Sequence, residues 1–120
     1  MAYSTSADLL AREPYIATLT GSSTFTATIA LADAEIDRRL ARRYPSVMAP
    51  LTDEADAVEE ASILQSLALI YFQAASGPGG DNDMVWRKAY FYRQEFEREI
   101  MAVSIGSPVS SVGSSPVFRS

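Results

Sequence analysis

The stretch from Ile63 to Ala75 is apolar in every helical direction. Ile63, Leu64, Leu67, Leu69, Ile70, Tyr71 and Phe72 cannot share one helix face. A helix built from them must be enclosed by other elements. A bilayer does not supply that enclosure, because a spanning helix needs about 20 predominantly apolar residues. This run is shorter, and Gln65, Ser66 and Gln73 interrupt it. What remains is a central buried helix in a chain of 120 residues, enough for one domain. With 48% hydrophobic and 21% charged residues, the chain has the material for a core.

Three further segments read as the sheath. A short helix starts near Thr5 or Ser6, carries Asp8 in its first turn and Leu9 and Leu10 as anchors, and ends before Pro14. Residues 15–23 read as a connector broken by Gly21-Ser22-Ser23. A long second helix is capped by Ser23 or Thr24 and closed by Pro45. Phe25, Ile29, Ala32, Ile36 and Leu40 form its inward face. Ala27, Ala30, Ala34 and Ala41 lie on the other side, where another helix can approach closely. The central helix is expected from Thr52 as cap, with Asp53, Glu54 and Asp56 near the positive end of its dipole. After a Gly/Pro/Asp loop, Asp83 caps a last helix from Met84 to Val103. Its inward stripe is Val85, Ala89, Tyr92, Phe96, Ile100 and Val103. Trp86, Tyr90 and Met101 widen the apolar sector, and Phe91 lies on the far side among Arg87, Glu95 and Arg98. The fold class is therefore all-α, a small antiparallel bundle of about four helices.

Composition removes most chemistry. There is no cysteine and no histidine, so no disulfide, thiolate nucleophile, Cys/His zinc site or imidazole base can form. Neither a Ser-His-Asp arrangement nor a phosphate-cradling Gly-rich motif is present. Asp53, Glu54, Asp56, Glu59 and Glu60 match no Ca²⁺-loop spacing, and a solvated helix start accounts for them. The expectation is a chain with no catalytic residue, cofactor or metal. The net charge of −5 opposes the phosphate neutralisation on which nonspecific DNA binding rests. The segment Met1 to Thr5 lacks the basic and apolar regions of a secretory signal, so the protein is expected to be made in the cytoplasm.

The helical domain is expected over residues 1–103. Residues 104–120 change composition abruptly, being rich in Ser, Val, Pro and Gly with no acidic residue. Two prolines and two glycines exclude a helix, and the segment reads as an extended arm. Ile105, Val109, Val112, Val117 and Phe118 are more apolar than a spacer requires and mark it as a docking arm.

The run from Ala30 to Tyr44, ALADAEIDRRLARRY, followed by Pro45 and by Pro50-Leu51, resembles the head–tail connector (adaptor) proteins of long-tailed bacteriophages. Met1, Tyr3, Asp8 and Leu9 fit that family's opening. Glu35, Ile36, Asp37, Leu40, Arg43 and Tyr44 fit its helix. The resemblance covers the first two helices in pattern and the rest as an order of elements. It implies a virion protein of the neck whose copies form a homo-oligomeric ring, commonly twelvefold, below the portal protein. The ring extends the DNA channel, lets DNA pass without specific binding, and seats a stopper or tail-terminator protein.

The expected partner surface follows from residues that a lone bundle leaves over. Arg38, Arg42 and Arg43 belong to the basic cluster of the second helix, in which Arg39 pairs locally with Glu35. Arg forks suit carboxylates across an interface. Leu31 and Ala34 share that helix's outer side, while Trp86, Tyr90 and Phe91 exceed what one core can bury. A small helical regulatory or DNA-binding protein is the alternative reading, with Glu35 and Asp37 counting against a DNA-reading face. A carboxylate-only hydrolase is a further rival that no spacing supports.

Overall fold

The computed structural model describes residues 2–45, 55–77 and 83–103. Helix α1 spans Ser6–Arg12. Its N-cap Thr5 accepts the Asp8 amide at 3.2 Å, and the Asp8 carboxylate accepts the Thr5 amide at 2.9 Å. This reciprocal pair satisfies two otherwise unpaired helix-start donors. Pro14 then stops the helix, as the sequence predicts.

Residues 15–23 are not the connector expected of them. Tyr15–Thr20 form a two-turn helix, α2, with Pro14 at its N-cap and Gly21 at its C-cap in the left-handed region (φ 69°). Ile16, Thr18 and Thr20 are intrinsically weak helix formers. Complete burial of Ile16 in the core outweighs that preference.

Helix α3 spans Thr26–Arg43, and Phe25, Ile29, Ala32, Ile36 and Leu40 are all buried as the periodicity predicts. Its start differs from expectation, because neither Ser23 nor Thr24 caps it. Phe25 takes the cap position with no side-chain cap bond. Thr24 is held in a local turn, its amide donating to Ser22 Oγ at 3.1 Å. The Phe25 amide instead donates to Ser6 Oγ at 2.8 Å, so the first turn of α1 fixes the entry of α3. At the other end, Tyr44 and Pro45 close the helix.

A 3₁₀ turn, Ala55–Val58, leads into α4, Glu59–Ser76. The expected start at Thr52, with Asp53 and Glu54, lies outside the described residues. Asp56 and Glu59 are exposed, while every residue from Ala61 to Ala68 is buried. Helix α4 is the enclosed central helix. Helix α5 spans Asp83–Ala102, and Asp83 is its first residue rather than its cap. Val85, Ala89, Tyr92, Phe96, Ile100 and Val103 point into the core.

The ring contacts Tyr71–Tyr92 (6.0 Å) and Phe72–Trp86 (6.0 Å) join α4 and α5 as antiparallel neighbours. Between α3 and α5 the partners rise together: Glu35 with Arg93, Arg39 with Glu97, Arg43 with Ile100. Helix α3 therefore runs parallel to α5 and antiparallel to α4. Helices α1 and α2 pack on the remaining side of α4. The chain is all-α, and no strand occurs among the described residues.

Candidate functional site

Helical phase divides the basic cluster in two. Arg39 and Arg43, one turn apart, point toward α5. Arg38 and Arg42, also one turn apart, point into solvent. Arg39 donates to both Glu97 oxygens, at 2.8 and 2.6 Å, and to Glu35 at 3.2 Å. Its Glu97 contact, against the smaller effect of partial burial, holds that carboxyl below its ordinary range. Arg93 completes the group at 3.3 Å from Glu35 and 3.1 Å from Glu97. Gln65 from the buried helix donates to Glu35 at 2.9 Å.

Arg43, expected at a partner surface, donates its guanidinium to the carbonyls of Ile100 and Val103 within the chain. Those carbonyls lie at the end of α5, where helix geometry leaves acceptors unpaired. A cation there also meets the negative end of the helix dipole. Arg38 and Arg42 stay exposed and form no ion pair with a described residue.

Leu31 (58% exposed), Tyr90 (61%) and Phe91 (52%) stand out of the bundle as large apolar side chains. Ala27, Ala30, Ala34 and Ala41 form the exposed side of α3, and no described helix covers them. Trp86 is half-buried, stacked on Tyr90 at 5.9 Å and edge-on to Phe72. It belongs as much to the core margin as to the surface. The arm residues Ile105, Val109, Val112, Val117 and Phe118 lie outside the described residues.

Two polar clusters escaped the sequence reading. Asp33 is only 7% exposed; its carboxylate accepts the Tyr3 amide at 2.9 Å and the Ser62 hydroxyl at 2.7 Å. Burial pushes its pKa up despite those donors. Tyr3 also donates its hydroxyl to Asp37 at 2.6 Å, and Ser4 meets Ser62 at 2.6 Å. Beside these carboxylates a groove opens between Ala2, Thr26, Ala30 and Ala34. The second cluster surrounds Glu13, which accepts the hydroxyls of Tyr71 and Tyr92 and the ammonium of Lys88 at 2.7 Å. Partial burial disfavours its charge, but these donors prevail and hold its pKa below the ordinary value. A polar residue inside an apolar stripe was the available signal for Asp33. For Glu13 there was none, because its partners come from distant helices.

The residues that carried the resemblance are largely joints of this bundle. Leu9, Ile36 and Leu40 are core, Asp8 completes the capping of α1 by accepting the Thr5 amide, Tyr3 and Asp37 tie the leading segment to α3, and Arg43 holds the end of α5. No family model, curated protein or solved structure matches the chain. Among the described residues, no three His, Cys, Asp or Glu side chains converge as metal ligands, and no helix is long and apolar enough to cross a membrane.

Proposed function

We propose that this chain is a structural subunit of a phage neck, a head–tail connector that forms a ring below the portal protein and carries the stopper or tail-terminator protein on its far side. The observation that carries the reading is the surplus of the outer faces. Leu31, Tyr90 and Phe91 are more than half exposed, standing out from the core that the described residues form. Large exposed aromatics are enriched at partner surfaces, and two different faces of one subunit meeting repeatedly close a ring when the rotation permits. The sequence resemblance supplies the class of assembly.

The acidic balance suits a channel wall past which DNA slides without being held. Arg39 and Arg43 are engaged within the chain, which leaves only Arg38 and Arg42 of the cluster to meet a duplex, against a net charge of −5. The arm over residues 104–120 serves as a docking segment, with the portal as its partner. Assembly places the protein in the virion, after synthesis in the host cytoplasm.

The test is a mass measurement of the purified protein, alone and mixed with the portal protein of the same phage. The expected result is a ring-sized species in at least one of the two samples. A virion reconstruction that contains the protein only as isolated monomers would refute the reading.

A further inference from the structure

Phe72, Trp86 and Tyr90 form a three-ring platform on the seam between α4 and α5. The Trp86 and Tyr90 rings stack at 5.9 Å with planes 24° apart. Phe72 stands edge-on to both, at 6.0 and 5.3 Å. Tyr90 is more than half exposed, and the other two rings are half-buried. Among the described residues, neither the Trp86 indole N–H nor the Tyr90 hydroxyl has a hydrogen-bond partner. Aromatic rings with unused donors beside them suit an extended, proline-bearing segment, whose backbone carbonyls have no internal hydrogen bonds. Helical spacing continues the line from Trp86 and Tyr90 through the exposed Gln94 to Met101, the most exposed large apolar side chain of α5.

We infer that Ser115-Pro116-Val117-Phe118 of the same chain seats on these three rings, and that the platform holds the arm until the portal protein takes it. The inference rests on the reading of residues 104–120 as a docking arm and states where that arm is kept. Length decides which part of the arm arrives. The arm leaves α5 after Val103, and Tyr90 and Trp86 lie about 20 and about 26 Å back along that helix, at roughly 1.5 Å per residue. Ser107-Pro108-Val109 follows too soon, because at roughly 3.3 Å per residue it spans only about 13–20 Å from Val103. Ser115 arrives after about 40 Å of extended chain, with slack to turn back at the helix end and pass Met101 and Gln94. Val117 and Phe118 supply the apolar contact, and Pro116 restricts the segment and so lowers the entropy lost on seating. A tethered segment meets its platform at an effective concentration of about millimolar, so even a weak contact is filled. The arm of another copy lacks that advantage. Seating also covers Tyr90 and Trp86 until assembly begins.

Trp86 is the sole tryptophan and the chain has no cysteine, so one label reads one contact. Arg119→Cys in the full-length chain is labelled with bimane, a dye whose emission an adjacent tryptophan quenches. The inference expects quenching that is unchanged by dilution and absent in Trp86→Phe. Val117→Ser together with Phe118→Ser should raise the emission about twofold, as the tethered contact is lost. Adding portal protein should raise it similarly. Helical circular dichroism shows that each variant is folded. Emission insensitive to both Trp86→Phe and the serine pair overturns the seat; if the serine pair still weakens portal binding, the docking-arm reading survives that failure. Quenching that appears only as protein concentration rises assigns the platform to the arm of a second copy and overturns the own-chain contact. Quenching that persists with portal protein bound overturns the release step, and with it the portal as the arm's partner, while leaving the seat.

Discussion

Glu13, the residue that ends α1, accepts the hydroxyl of Tyr92 from 79 residues further along the chain. Tyr71 donates to the same carboxylate at 2.8 Å, and Lys88 pairs with it at 2.7 Å. One side chain thereby pins the leading helices to both members of the α4–α5 hairpin. The two tyrosine hydroxyls are held protonated by burial and by this carboxylate, so they remain donors throughout the working pH range.

Glu13→Gln should therefore destabilise the fold by about 1–3 kcal/mol at neutral pH, the cost of disturbing buried hydrogen bonds to a charged group. Its pKa in the fold lies below the ordinary value of 4.5, so its stabilisation is complete above that value and is lost as pH falls through the folded pKa. Urea unfolding at pH 7 and near pH 4 measures this. The gap between wild type and variant should narrow at the lower pH, and a gap independent of pH would show that the carboxylate charge contributes nothing.

Asp33 has the opposite sign. Its folded pKa is raised above the ordinary 3.8, chiefly by burial, so its ionisation costs stability as pH rises through that window. Asp33→Asn removes the charge while an amide can still accept from Tyr3 and donate to Ser62. It should stay within about 1 kcal/mol of wild type at neutral pH, whereas Asp33→Ala, which strands Ser62, should cost about 1–3 kcal/mol. Equal losses in the two variants, read by thermal unfolding, would show that the hydrogen bonds are not what the site needs.

Arg43 and Arg38 are five residues apart on one helix and are expected to behave differently. Arg43→Ala leaves the last carbonyls of α5 without their donor and should cost about 1 kcal/mol, with faster amide exchange confined to the end of that helix. Arg38→Ala should change monomer stability by no more than about 0.5 kcal/mol, as an exposed substitution does. If the two variants melt alike, the link between α3 and α5 through Arg43 is not holding that end of the helix.

Deleting residues 107–120 should leave the helical circular dichroism signal per folded domain unchanged and abolish the joining of heads to tails. Complementation of a phage lacking the protein is the readout. Normal particle yield with the truncated chain would show that the segment is not a docking arm.

The helical class, the enclosed central helix and the inward stripes of α3 and α5 were all legible in the sequence. Each follows from a repeat of three to four residues that local geometry alone converts into a face. Capping of α1 by Thr5 and Asp8 was half legible, because a hydroxyl at a helix start is a local signal. Helix α2 was not, since Ile16, Thr18 and Thr20 disfavour a helix locally and only burial against α4 compensates. The four arginines show the same limit at the level of the site. Their sequence places them together, and helical phase separates them into two pairs. Only the position of α5 determines that Arg39 and Arg43 find Glu97 and the terminal carbonyls, leaving Arg38 and Arg42 to solvent. The sequence by itself determined the inward apolar faces of α3, α4 and α5, because burial there follows periodicity. The partners of the polar groups were decided by the tertiary structure, because a hydrogen bond depends on how distant helices are set side by side.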